Sequence, residues 1–104
     1  MISQELLQII AEIDKNLPER NFSKKLTNLE IMLTKCLKFS EEVWEFQKEI
    51  YRKFYKQKKF SQENLEEEFA DVMLTLLLLA KELDIDANLS LKNKLKIIKK
   101  RWLI

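Results

Sequence analysis

The 104-residue sequence contains no glycine and a single proline, Pro18. Tight hairpin turns need backbone with positive φ, which glycine supplies without steric cost, and a β-sandwich needs turn signals every 8–12 residues or so. A chain without glycine is therefore expected to form helices joined by short loops. Hydrophobic residues make up 46% and charged residues 35%, the balance of a globular chain rather than a disordered one. One domain over 1–104 is expected, since no repeat, low-complexity tract or linker divides the sequence. So short a chain builds only a limited core, which helical domains of this size often complete by association.

Apolar spacing places the helices. Leu6, Ile10 and Ile13 stripe a first helix over about Ser3–Lys15, and Pro18 stops it before a loop around Leu17–Ser23. Thr27 followed three residues later by Glu30 is a capping box and starts a second helix that runs to about Tyr55. Its seam, Met32, Cys36, Phe39, Val43, Phe46 and Ile50, steps by fours and threes. Leu33, Leu37, Trp44, Tyr51 and Tyr55 form another stripe roughly 120° away. A helix apolar on two sides contacts two neighbours, one of which can come from another subunit. Lys56–Lys59 reads as a loop, and Ser61 as the N-cap of a third helix with Glu63 in its first turn. Leu65, Phe69, Val72, Leu76, Leu79 and Leu83 repeat the four-three seam. Only Asp71 and Thr75 are polar between Phe69 and Ala80, so this helix is expected to be packed on nearly all sides. Asp84–Asn88 breaks the pattern before a last helix, about Leu89–Trp102, that carries Leu91, Leu95, Ile98 and Trp102. The expected fold is an all-α bundle of four or five helices, completed as a dimer or a dimer of dimers.

The missing residue types restrict the chemistry. The sequence has no histidine, which excludes histidine zinc sites, a Ser-His triad and an imidazole base. Without glycine there is no P-loop and no dinucleotide-binding turn, so phosphate must be held by metal, Lys or Arg. Cys36 is the only cysteine. It forms no intramolecular disulfide, which suits a reducing cytoplasm, and its place in the seam predicts a buried, inert thiol. No basic region precedes an apolar stretch at the N-terminus, so no signal peptide is expected. Val72–Ala80 is too short to cross a bilayer. Cytoplasmic location without membrane association is the expectation.

Four acids remain to be explained. Glu42 and Glu45 sit on the second helix, Glu68 and Asp71 on the third. Each pair is three residues apart and so projects from one side of its helix. Facing acid pairs repel unless something positive lies between them, and carboxylate oxygens are the ligands Mg²⁺ prefers. Glutamates at this spacing are commonly a solvated face. Asp71 argues otherwise: it is a poor helix former in an apolar run, and a carboxylate in a dry region needs a cation, a lysine partner or a proton. Glu42 borders the first stripe of its helix, Glu45 lies in the polar sector, and Glu41 points furthest from that stripe.

The strings Glu41-Glu42-Val43-x-Glu45 and Glu68-Phe69-Ala70-Asp71-Val72 stand some twenty residues apart. The apolar run Met73–Ala80, Leu83-Asp84-Ile85-Asp86, Lys94-Leu95 and Arg101 follow. In this order they resemble the MazG-like all-α nucleotide pyrophosphohydrolases, over roughly Leu26 to Trp102. The resemblance implies that Glu42, Glu45, Glu68 and Asp71 ligate Mg²⁺, with Mn²⁺ as a substitute. It implies that Lys94 and Arg101 meet substrate phosphates, and that a nucleoside triphosphate is cut between its α- and β-phosphates to give the monophosphate and pyrophosphate. House-cleaning of non-standard nucleotides would be the purpose. With no histidine, the base for the attacking water is sought among Glu41, Glu42 and Glu45. Two positions depart from the family: Trp44 stands where glycine is usual, and Ile98 where many members carry asparagine.

A competing reading starts from the C-terminus. From Ala87 onward there is no acid, and Lys92, Lys94, Lys96, Lys99, Lys100 and Arg101 cluster there. They suit a helix C-terminus or the phosphates of a nucleotide, and nucleic acid is the weaker option, since the net charge is only +2. A helical nucleic-acid-binding or protein-interaction module with a decayed metal site is the alternative. Trp44, Trp102, Tyr51 and Tyr55 are expected in the core or at a subunit interface, ahead of stacking on a base.

Overall fold

Side chains written into the sequence cap each helix of the computed structural model, which describes residues 1–17, 26–55 and 60–102. The helices are α1 (Gln4–Lys15), α2 (Asn28–Phe54), α3 (Gln62–Glu82) and α4 (Ala87–Trp102), and no strand occurs among the described residues. Ser3 Oγ accepts from the Leu6 N–H at 3.2 Å to start α1. At α2 the capping box closes: Thr27 Oγ1 accepts from the Glu30 N–H at 3.1 Å, and Glu30 Oε1 from the Thr27 N–H at 3.0 Å. Those bonds to its ionised form hold the Glu30 carboxyl below its ordinary value. Ser61 Oγ caps α3 through the Asn64 N–H. The all-α fold class is thus the observed one. Residues 18–25, which hold most of the loop expected around Pro18, and residues 56–59, where another loop is expected, lie outside the described residues.

The turn between α3 and α4 works without glycine. Asp84 adopts φ 54°, a left-handed conformation that aspartate tolerates better than most residues. The Ile85 N–H donates to Ala80 O at 2.9 Å and the Asp84 N–H to Lys81 O at 3.2 Å, closing a Schellman motif. Asp86 Oδ1 then accepts from the Leu89 N–H at 3.0 Å. That cap starts α4 at Ala87, two residues before the point read from apolar spacing. The N-terminal strand of chain is fastened to the same corner, since Ile2 and Asn88 exchange hydrogen bonds through the Asn88 amide.

The main packing is α2 along α3, with α1 laid against α3. Phe46 and Phe69 meet edge to face, ring centroids 5.9 Å apart. The buried line differs from the apolar seams expected. On α2 the buried residues are Ile31, Lys35 and Glu49, on α3 Thr75 and Leu78, and on α1 Asp14. The inner line of α1 is Leu7, Ile10 and Asp14, while Leu6 and Ile13 are exposed. The stripe of Leu33, Leu37, Trp44, Tyr51 and Tyr55 faces solvent, and Phe69, Met73, Leu76 and Leu83 are exposed too, so α3 is not packed on nearly all sides. Cys36 is likewise exposed, not buried. The physical reason is common to all of these: among the described residues α2 and α3 pack mainly on each other, with α1 against α3. Every residue of α4 from Leu89 to Trp102 is exposed. The radius of gyration is 16.7 Å, against about 13 Å for a compact domain of this length. No helix among the described residues is long and apolar enough to cross a membrane.

Candidate metal centre

The α2–α3 seam carries charge at positions where a helix pair ordinarily buries leucine. On α2, Lys35, Lys38, Glu42, Glu45, Glu49 and Arg52 follow one another by threes and fours, and on α3 so do Glu68, Asp71, Thr75, Leu78 and Glu82. That spacing keeps each set on one side of its helix, and the two sets face one another.

One end of the seam is closed on itself. Lys35, 3% exposed, lies 2.5 Å from Asp14 Oδ1 and 2.8 Å from Glu82 Oε1, and donates to Leu78 O at 3.3 Å. Among the described residues it thus has three acceptors for the three donors of an ammonium group. Lys81 stands 3.9 Å from the other Asp14 oxygen. Asp14, Lys35 and Glu82 were not singled out in the sequence. Lys35 sits seven residues before Glu42, and that register was the available sign.

At the other end Glu42, Glu68 and Asp71 each bring one carboxylate oxygen within 4.8 Å of the others. Glu42 is nearly covered, its side chain 12% exposed, and Glu68 is half-buried. Asp71 is exposed, which corrects the expectation of a dry environment around it. Thr75 Oγ1 bonds the main-chain oxygens of Asp71 and Val72 and leaves the Asp71 carboxylate open. Glu45 stands outside the convergent group, 3.1 Å from Lys48 Nζ. Glu41 is exposed and 3.7 Å from Lys38. Lys38 Nζ, 3.0 Å from Glu42 Oε1, is held above its ordinary pKa by that hydrogen bond. Glu68 is raised above the usual carboxylate range, first by partial burial and then by the charges of Asp71, Glu42, Glu45 and Glu49. Glu49, 5% exposed and bonded to Arg52, is the acid of this end that sequence reasoning passed over. It follows Glu45 by four residues.

A cleft of about 450 Å³ opens beside the acids. Glu42 and Asp71 stand at one side, Ile13, Leu17, Leu74 and Leu78 give it an apolar lining, and Lys38 borders it. Lys94 and Arg101, exposed on α4, do not line it, and among the described residues no ion pair joins either to the four acids. The donor set fits Mg²⁺. It is all oxygen, it converges from two rigid helices, and its mutual repulsion is relieved by a divalent cation.

A family model described as the MazG-like family matches residues 33–104. No curated protein and no solved structure matches the chain.

Proposed function

The chain belongs to the MazG-like family, and we propose that it is a Mg²⁺-dependent nucleotide pyrophosphohydrolase. It would cut a nucleoside triphosphate between the α- and β-phosphates, releasing the monophosphate and pyrophosphate. The observation that carries the reading is the convergence of Glu42, Glu68 and Asp71 from two helices at the mouth of a cleft. Glu42, Glu68 and Asp71 would hold the cation, with Glu45 one turn away completing its shell directly or through water. Bound there, Mg²⁺ supplies neutralisation of phosphate charge and a lowered pKa for a water in its shell.

The chain's own groups do the rest. Glu45 is the best-placed acceptor for the proton of the attacking water, because Glu42 is committed to the convergent group and Glu41 points to solvent. Lys38, at the rim beside Glu42, is placed to neutralise phosphate oxygens. The apolar cleft gives the base and sugar a dry side while the phosphates lie toward the acids. Lys94 and Arg101 serve the phosphates by way of a second copy of the chain. The assembly is a homodimer or a dimer of dimers, supported by the exposed apolar stripe of α2 and by α4, exposed from Leu89 to Trp102.

The test is a panel of nucleotides assayed for pyrophosphate release with Mg²⁺, on wild type and on Asp71→Ala and Glu45→Ala. Release abolished in both variants with the helical fold retained is the expected result. Unchanged release in both defeats the assignment. The exposed cations of α4 give one specific ground for a second reading as a nucleic-acid-binding module. Salt-sensitive retention of duplex DNA without any pyrophosphate release would favour it.

A further inference from the structure

We propose that Asp14 and Lys35 are positioning residues for the nucleoside end of the substrate. Their buried contact locks α1 against α2 and α3, so that Ile13 and Leu17 stand as a fixed apolar wall of the cleft. The inference rests on the reading of that cleft as a nucleotide site. Ile13 of α1 and Leu17, just beyond its end, line the cleft together with Leu74 and Leu78 of α3. Ile13 is 39% exposed, so it carries apolar surface that a base or sugar would take out of water. Helix α1 lies ahead of residues 33–104, so the family match does not supply this wall. Between Ile13 and Leu17 in the chain stands Asp14, 4% exposed, 2.5 Å from Lys35 Nζ and 3.9 Å from Lys81. The Leu17 N–H donates to Asp14 O at 3.3 Å, which ties Leu17 to the residue that is held. Lys35 borders the same cleft from α2. Its ammonium is taken by Asp14, Glu82 and Leu78 O, so it serves the substrate through α1 and not by meeting a phosphate. A buried polar network with its bonds made holds one geometry, where a purely apolar contact slides more easily. A wall displaced by about 1 Å weakens the fit of a rigid base and leaves the acids, on α2 and α3, where they are.

Steady-state pyrophosphate release from the common ribo- and deoxyribonucleoside triphosphates at saturating Mg²⁺ tests this, on full-chain wild type, Asp14→Asn and Ile13→Ala. Asp14→Asn keeps the shape of the side chain and an oxygen for Lys35 while removing the charge. Ile13→Ala takes away exposed apolar surface and is expected to fold as wild type, so it decides the question even where Asp14→Asn unfolds. Both variants are expected to raise KM about tenfold for the nucleotides that wild type cleaves, with kcat within about twofold of wild type and Mg²⁺ affinity unchanged. A role of Asp14 in stability alone would lower the melting temperature and leave KM where it is. An unchanged KM in either folded variant, or a loss confined to kcat, overturns the inference and leaves the proposed activity standing. No release from any of these nucleotides by wild type overturns that activity, and the inference with it.

Discussion

The two ends of the α2–α3 seam use the same kinds of residue to opposite effect. At the Lys35 end, acids from α1 and α3 converge on one buried ammonium, and Lys81 stands nearby. At the Glu42 end, five carboxylates meet three cations, Lys38, Lys48 and Arg52, each a helical neighbour of the acid it pairs with. Acids outnumber cations there among the described residues, a surplus that a divalent cation would offset. A closed network fixes how three helices meet. An open one is a place for something that arrives from solution. A buried ion pair contributes little net stability compared with apolar packing but is strongly destabilising to break, so the two ends should respond differently to mutation.

The largest contrast is expected from single-site removal. Lys35→Ala takes the buried ammonium away from Asp14 and Glu82, and chemical denaturation should show a loss of about 3–5 kcal/mol. Asp71→Asn removes repulsion instead. Its metal-free stability should equal or exceed wild type, while Mg²⁺-dependent pyrophosphate release should fall about 100-fold or more. A variant of the acidic end that loses as much metal-free stability as Lys35→Ala would erase the distinction.

A smaller effect concerns pH. The folded protein holds the Glu68 carboxyl above its ordinary range, so between the unfolded and folded values the native state binds more protons than the unfolded one. The Glu68 contribution to metal-free stability should therefore be greatest below the unfolded value and be lost as pH rises through the folded value, opposite in sign to that of Glu30. Saturating Mg²⁺ should flatten that decline by taking the proton's place. Melting curves across this window with and without Mg²⁺ check the sign. The stability of metal-free wild type relative to Glu68→Gln should fall as pH rises through that window, and a difference that grows instead would contradict the electrostatic account of Glu68.

Much of the fold was legible because its signals are local. Thr27 with Glu30, and Ser61, mark helix starts through side chains that bond backbone groups within one turn. The α4 start was misplaced because apolar spacing was followed and the Asp86 cap was not. The four acids were legible as pairs on two helices, since i,i+3 spacing alone puts each pair on one side. Lys35 and Glu49 were not, because a search for apolar stripes assigns charged residues to solvent, and here the buried register is largely a charged one. Asp71 and Cys36 were expected to be buried on the premise that an apolar helix face is covered by its own chain. The exposed second stripe of α2 and the uncovered α4 show that premise failing.

The central claim is that the acidic end of the seam binds a divalent cation. Isothermal titration of Mg²⁺ into wild type and into Asp71→Asn tests it most directly. Saturable binding in wild type that is lost or strongly weakened in Asp71→Asn is the predicted result. No binding by wild type, or equal binding by both proteins, would contradict it.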